Sequence, residues 1–269
     1  MPAEASLDQA FLKIEITKGS YVGHGRRVTA MSASRGSLPK VTTAAFMVLL
    51  TACAGVPERE GMTSAQSHMY AHLDRTGEVH DALVRGDMEG ARRGSDWLAT
   101  HQETVRLPQG SEPYGSTMTS YAIQVREATD LEEAAVSAAR MAGACGECHR
   151  EYAVGPRLLT GAPPPGGGGA KAEMALHVWA SERMWNGLVG PDDYAWSSGA
   201  SALTRGWLSP QDVVADPDSR EEVRNLVQEV YVLGTQAGTT SDPHERAEVY
   251  GDFLTTCIDC HLLTGAIIG

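Results

Sequence analysis

Residues Cys145-Gly146-Glu147-Cys148-His149 and Cys257-Ile258-Asp259-Cys260-His261 are two copies of one pattern, C-x-x-C-H. This pattern is the attachment signal for c-type haem. Two cysteines three positions apart on a helix face the same side, so their sulfurs can form thioethers with both vinyl groups of one haem. The histidine that follows can then coordinate the iron as its proximal ligand. A single copy could be chance or half of a zinc site, but two copies predict two covalently attached haems c.

The cysteine count favours this interpretation over a disulfide framework. The chain has 269 residues and five cysteines, and the motifs account for all of them except Cys53. A bridge between Cys145 and Cys148 is conceivable in an exported protein, but it does not explain why a histidine follows in both copies. We therefore predict thioether bonds at four cysteines and iron ligation by the two motif histidines: Cys145, Cys148, Cys257 and Cys260; His149 and His261.

An export signal is predicted at residues 31–52. Met31 is followed by two basic residues and then by an apolar run from Val41 to Ala52. Charged, apolar and small-residue regions in that order are typical of a signal peptide, and about a dozen apolar residues are too few to span a membrane comfortably. The ending Leu50-Thr51-Ala52-Cys53 resembles the lipobox of bacterial lipoproteins, which implies that Cys53 becomes the lipidated first residue. An ordinary signal peptide with a chance cysteine is the alternative.

The predicted signal divides the N-terminal part of the chain. Residues 1–30 do not resemble a signal, and we interpret them as an unused upstream extension, with Met31 as the true initiator. Residues 53–62 then form a tether. The protein is expected on the periplasmic side of a bacterial membrane or at the cell surface, held by a lipid anchor.

The net charge excludes one class of partner. The chain carries 22 Lys and Arg against 34 Asp and Glu, a formal charge of −12. Without residues 1–52 the balance is 16 against 31. Nucleic acid is not an expected partner, because no basic stripe is available to neutralise phosphates. An acidic face favours redox partner proteins with a basic docking face, although a solubilising surface explains the charge equally well.

An internal repeat relates the two motifs. Overlaying Met69-Tyr70-Ala71-His72 on Met174-Ala175-Leu176-His177 gives an offset of 105 residues, whereas the motifs themselves lie 112 residues apart. Seven extra residues must therefore enter the second copy, and we place them between about 205 and 232, in a longer middle loop. The expected haem domains are 63–158 and 172–269. The Pro- and Gly-rich stretch 159–171 between them reads as a linker, either a tether or a passive spacer.

Each copy is predicted to contain four helices and no strand. The predicted helices of the first copy are 64–84, 87–102 and 116–128, followed by a fourth that Asp130 caps and that carries the motif. A loop is expected at 106–115. The predicted helices of the second copy are 172–189, 192–208, 220–237 and 242–263, with Pro243 in the first turn of the last helix. Apolar inward faces and short loops predict an all-α fold of two tandem up-down four-helix bundles, each with haem c on its last helix.

The second axial ligand is predicted on the first helix of each copy. A stripe at spacings of three and four contains Met69 and His72 in the first copy and Met174 and His177 in the second. His72 and His177 are the only histidines outside the motifs that superpose in the repeat, so we favour them as distal ligands. Met69 and Met174 are the alternative sulfur ligands, and an open distal face is the third possibility. The choice matters because methionine raises the reduction potential of haem iron.

These features together resemble the class II c-type cytochromes, the cytochrome c′ group. That family places C-x-x-C-H near the C-terminus of a four-helix bundle and takes its distal group from the first helix, and both motifs match the attachment positions. The resemblance implies a tandem di-haem cytochrome c. Two bundles in one chain, a lipoprotein-like signal and the repeated histidine depart from the family pattern.

The predicted function is transfer of single electrons in the bacterial cell envelope, with both haems six-coordinate. Nothing in the sequence resembles a nucleophile–base pair or a phosphate loop, so no organic substrate and no enzyme activity are expected. The alternative is a gas-binding or sensing protein, or a small-molecule redox enzyme such as a peroxidase or reductase, which requires an open distal site. Membership of a respiratory or photosynthetic complex is a third hypothesis.

Overall fold

The computed structural model describes residues 63–101, 105–156, 158 and 164–265. Within these ranges the chain is all-helical, with eight α-helices and no strand, which confirms the predicted all-α class. The predicted signal, the tether, Cys53 and residues 159–163 of the predicted linker lie outside the described residues. The helices are α1 Ser64–Val84, α2 Met88–Thr100, α3 Glu112–Glu127, α4 Leu131–Glu151, α5 Ala170–Val189, α6 Asp193–Leu203, α7 Pro217–Thr239 and α8 Pro243–Thr264, and a short 3₁₀ helix spans Pro210–Asp212.

Capping side chains explain where most of these helices begin. The carboxylates of Asp130 and Asp242 accept backbone N–H bonds from Glu133 and Glu245, three residues into α4 and α8. Such a side chain satisfies a backbone donor that has no partner inside the helix. The predicted starts of both motif-bearing helices are therefore confirmed.

Three predicted helix bounds are wrong. Helix α3 begins at Glu112 and α7 at Pro217, three or four residues earlier than predicted, because Pro113 and Pro217 occupy the first turn, where a missing N–H has no consequence. Proline is also typical of loops, so the sequence pattern predicts later starts for both helices. Helix α6 ends at Leu203, five residues before the predicted end.

The helix bounds follow the two predicted offsets. Helices α1 and α2 precede α5 and α6 by about 105 residues, and α4 precedes α8 by 112. The extra residues, however, do not form a longer loop. Helix α7 has 23 residues and α3 has 16, so the insertion lengthens the helix by seven residues, about two turns.

The helices of residues 58–269 form one compact unit. Each helix packs on the next along the chain within α1–α4 and within α5–α8, and the most extensive contact of all joins α4 to α8. The core is aliphatic and alanine-rich, and the buried side chains include the predicted core leucines Leu83, Leu98, Leu188 and Leu203.

Helices α4 and α8 run antiparallel. Glu132 at the start of α4 lies beside Asp259 near the end of α8, and repulsion between the two carboxylates raises the pKa of Glu132. Further along, the Arg140 guanidinium makes a bidentate ion pair with Glu248 at 2.8 and 2.9 Å. A Cβ on Gly143 would lie 3.0 Å from the Cβ of Ala247. Small residues thus let the two helix backbones approach closely.

A buried polar network joins α1, α5 and α8. His80 Nε2 lies 2.8 Å from the Tyr250 hydroxyl and 3.1 Å from Ser181 Oγ, and the Tyr250 hydroxyl also donates to the Ser181 carbonyl at 3.0 Å. The Trp185 ring stacks on His80 with centroids 4.8 Å apart. Among the described residues, no helix is long and apolar enough to cross a membrane.

Candidate haem centres

The four motif cysteines lie in the last turns of α4 and α8, and all are free thiols. Burial raises the pKa of Cys145 and Cys257 to about 12, and the neighbouring thiols Cys148 and Cys260 contribute a smaller part. These thiols are therefore protonated at neutral pH. A thioether has no ionisable proton. A cysteine attached to haem could therefore stay buried without the free-energy cost of a buried thiolate.

His149 is held in one tautomer by the second half of the chain. Its Nδ1 lies 2.6 Å from the backbone carbonyl oxygen of Val189, at the end of α5. A carbonyl oxygen only accepts, so Nδ1 carries the hydrogen and Nε2 keeps its lone pair. A bond of this kind orients the ring of a metal-ligating histidine. Burial lowers the pKa of His149, opposed by the bond to Val189, and the ring is neutral at pH 7.

Glycines bring the end of α5 against the first motif. A Cβ on Gly146 would overlap the carbonyl oxygen of Leu188, so only glycine allows this approach. Gly155, at φ +152°, lies against the His149 side chain. The equivalent of Gly146 in the second motif is Ile258, which is buried. The close approach through a missing Cβ is therefore specific to the first motif, while Ile258 lines a cavity with Leu83 and Val84 of the other half.

Two adjoining cavities flank the second motif. Both cavities are lined by Met174, His177, Cys257 and His261. The remaining lining is almost entirely apolar, with Leu83, Phe253 and Leu254 on one side and Leu208, Leu226 and Val227 on the other. Burial lowers the pKa of His261.

The structure brings His177 of α5 to the same place as His261 of α8. His177 is buried, and its pKa falls to about 4 because of burial and, secondarily, the nearby His261 imidazole. A neutral imidazole with this pKa can offer a lone pair at any physiological pH. Met174 is half-buried in the same cavities, so the sulfur alternative has the same access.

His72 has a different environment from its counterpart in the repeat. It lies with His68 and His101, and one ligand nitrogen from each ring is within 4.8 Å of the others. Burial lowers the pKa of His72 to about 4, with smaller effects of His68 and His101. Met69 is half-buried on the same helix. Its proposed role at the first iron, like that of His72, stays a prediction.

The sequence does not predict His68 and His101 as site residues, because neither superposes with a histidine in the second copy. The signal that could have found His68 is its spacing of four from His72, which places both rings on one helix face. No local pattern links His101 to them, because its contact with α1 is tertiary.

The residues around the second motif are compatible with a covalently bound haem. In the second half, apolar cavities lie beside both cysteines, with a buried imidazole available besides His261. In the first half, the hydrogen bond to Val189 leaves Nε2 of His149 available for iron. No family model, curated protein or solved structure matches the chain.

Proposed function

We propose that this chain is a di-haem electron-transfer protein with one haem c on α4 and one on α8. The observation that carries the proposal is the repeated motif on equivalent helices, with apolar cavities and a buried second imidazole beside the copy on α8. We further assign α1–α4 and α5–α8 to two four-helix bundles. The packing of consecutive helices within each half supports this assignment, while the contact of α4 with α8 joins the two halves.

Each group of side chains has a distinct task in the proposed protein. When bound, haem supplies a one-electron iron couple whose potential depends on the axial ligands. The cysteines would hold the porphyrin covalently, while His149 and His261 would each supply an imidazole to an iron. At the second iron His177 would supply a further ligand, with Met174 as the alternative. Leu83, Phe253 and Leu254 keep water from this centre, and a dry, rigid site limits rearrangement during electron transfer.

The antiparallel arrangement of α4 and α8 keeps the two motifs apart. The second motif lies beside Glu132 at the start of α4, and the first motif lies near the end of α4. At 1.5 Å per residue, roughly 20 Å of helix separates them. We therefore expect the two haems to titrate as weakly interacting centres.

The test is haem content of the full chain made in a periplasm competent for haem attachment. The expected result is two haems per chain, falling to one in Cys145→Ala/Cys148→Ala and to one in Cys257→Ala/Cys260→Ala. Cys53→Ser is the matched control and should retain two. A chain that folds, by far-ultraviolet circular dichroism, with fewer than two haems contradicts the proposal.

Ligation at the second iron has its own test. Electron paramagnetic resonance of the ferric protein should give a low-spin signal that is lost for one haem in His177→Ala. Met174→Leu should leave that signal unchanged. The opposite pattern assigns the sulfur as the ligand.

A gas-binding first haem is the second candidate function. The observation that favours it is the placement of His72 beside His68 and His101. In this environment His72 differs from His177, so its predicted role as an equivalent iron ligand loses support and the distal face of the first haem would be open. An open distal face would bind carbon monoxide rapidly at one haem per chain. A low-spin first haem that binds no carbon monoxide would support the six-coordinate electron carrier instead.

The membrane anchor and the partners are further parts of the proposal. Lipidation at Cys53 would hold the protein on the periplasmic side of a membrane or at the cell surface, and the acidic balance favours redox partners with a basic face. Mass spectrometry of the mature N-terminus tests the anchor. Partner reduction that does not weaken with salt would argue against electrostatic docking. Co-purification from membranes tests membership of a respiratory or photosynthetic complex.

A further inference from the structure

Three imidazoles meet in the first half of the chain. His68 and His72 are four residues apart on α1, and His101 follows the last residue of α2. His68 is buried and the other two are half-buried. Their ligand nitrogens all lie within 4.8 Å of one another.

The spacing of these nitrogens suits a first-row metal ion. His101 Nε2 lies 3.4 Å from His68 Nδ1. A tetrahedral ion with metal–nitrogen bonds of 2.0–2.1 Å places its ligand nitrogens about 3.3 Å apart. One pair is therefore already at ligand spacing, and the other nitrogen pairs would have to close from at most 4.8 Å to about 3.3 Å. Two histidines at i and i+4 on one helix face are a recurrent half of zinc sites.

Aromatic packing holds the rings in place. The Trp97 ring stacks on His101 with centroids 4.0 Å apart and an interplanar angle of 17°. The edge of the same indole meets His72 at 5.4 Å and 81°. The residue one turn before His101 thus holds its ring against α1, with ring centroids 5.0 Å from His68 and 5.5 Å from His72.

The second half of the chain does not repeat this cluster. The positions equivalent to His68 and His101 at the offset of 105 are Glu173 and Gly206, and the Glu173 carboxylate packs against Gly206. Of the three imidazoles, only that of His72 has a counterpart, His177. The additional histidines are therefore specific to the first half.

We propose that His68, His72 and His101 bind a divalent transition-metal ion of the kind that prefers imidazole, Zn²⁺ being the reference ion. Three neutral imidazoles with a fourth position for water are an established Zn²⁺ ligand set, and the donor set disfavours Ca²⁺ and Mg²⁺, which take oxygen ligands. The ion would tie α1 to the end of α2. The same ion would occupy the His72 imidazole, which the repeat predicts as a ligand of the first haem iron. The first haem would then take no ligand from His72.

The test uses the full haem-loaded protein. A chelator first removes metal ions other than the haem iron, and the protein is then titrated with Zn²⁺. Bound zinc is counted by elemental analysis after gel filtration, and affinity is measured by competition with a zinc-binding dye. We expect one tight Zn²⁺ per chain. His68→Gln and His101→Gln should each weaken binding at least ten- to hundredfold, the loss typical of removing even an outer-shell partner. His244→Gln, whose ring is 71% exposed on α8, should bind zinc as the original chain does.

The outcomes separate this site from the haem proposal. Zinc binding that requires His68, His72 and His101, with an unchanged haem spectrum in His68→Gln and His101→Gln, supports the metal site. If the unaltered chain retains no zinc, the inference is overturned whatever its haem content. If His72→Gln alone converts one haem to high spin, while no variant changes zinc content, His72 is an iron ligand and the inference fails. Haem content of two per chain is expected in every arm.

Discussion

His177 shows how burial at a single residue sets its protonation and its value as a ligand. The imidazole is buried beside His261, and its pKa falls to about 4. An unfolded histidine has a pKa near 6.5, so the folded chain resists protonation in a range where the unfolded chain accepts a proton. Stability contributed by neutral His177 is therefore complete above about pH 6.5 and is lost progressively as the pH falls towards 4.

This difference predicts a pH-dependent loss of stability. Between pH 6.5 and about 4, the original protein should lose up to about 3 kcal/mol more free energy of unfolding than His177→Gln, which has no titrating imidazole at that position. Urea denaturation at several pH values measures both. Iron ligation by His177 would act in the same direction, because it also requires the neutral ring. Parallel pH profiles for the two proteins would contradict the assignment of His177 as a buried neutral group.

At Gly146 the absence of a single atom, the Cβ, determines how closely two helices pack. Its missing Cβ leaves room for the Leu188 carbonyl at the end of α5, next to the Val189 carbonyl that orients His149. An added methyl group must displace one of two helices. The change in stability when Gly146 is replaced by a larger residue therefore reports on contact between the first motif and the second half of the chain.

We expect Gly146→Ala to destabilise the protein by about 1–3 kcal/mol, the usual effect of overpacking a filled interior. Gly77→Ala is the matched control, because a Cβ at that helical position meets nothing within 4 Å. It should stabilise by about 0.5–1 kcal/mol, since alanine loses less backbone entropy in a helix. Urea denaturation measures both changes. Equal effects of the two substitutions would mean that α5 does not contact the motif.

At the scale of elements, caps decide where the motif-bearing helices begin. Asp130 and Asp242 each accept an N–H bond three residues into their helix, and acidic residues occupy both first turns. Negative charge there is favourable because it opposes the positive end of the helix dipole. The prolines at the start of α3 and α7 act through geometry instead, since their fixed φ suits a first turn.

The cap of α8 can be tested by a pair of substitutions. Asp242→Ala should lower the free energy of unfolding by about 1 kcal/mol, because an amide donor of α8 loses its acceptor. Asp242→Asn keeps an acceptor oxygen and should remain close to the original protein. Thermal unfolding followed by circular dichroism ranks the three proteins. A stable Asp242→Ala would show that packing against α4, rather than the cap, determines the start of α8.

At the scale of the whole molecule, a hydrogen-bonded network crosses from the first half to the second. His80 belongs to α1, whereas Ser181 and Tyr250 belong to α5 and α8, and all three are buried. Burial raises the pKa of the Tyr250 hydroxyl well above its usual value, so it remains a donor. With the α4–α8 contact, this network makes the two halves depend on each other for stability.

Removing one hydroxyl should therefore affect both halves together. Tyr250→Phe leaves His80 and Ser181 with one partner fewer in a buried place and should destabilise by about 1–3 kcal/mol. Tyr231→Phe, at a residue 42% exposed, is the control and should have little effect. Unfolding should remain a single transition when followed separately by the absorbance of each haem. Loss of one haem environment before the other would indicate independent halves.

The helices, the repeat and the positions of both motifs are determined by the sequence alone. Periodicity, capping aspartates such as Asp242 and the spacing of cysteines are local signals, and each acts within a few residues. The length of α7 was not predicted, because Pro217 is compatible both with a loop and with a first helical turn.

Only the tertiary structure decided which side chains from distant helices meet. The bond from His149 to Val189, the antiparallel contact of α4 with α8 and the approach of His101 to His72 all join residues far apart in sequence. Helix amphipathicity determines which face is buried but not which partner buries it. His72 and His177 therefore look equivalent in the repeat, yet their neighbours differ, because His68 and His101 surround one of them and His261 lies beside the other.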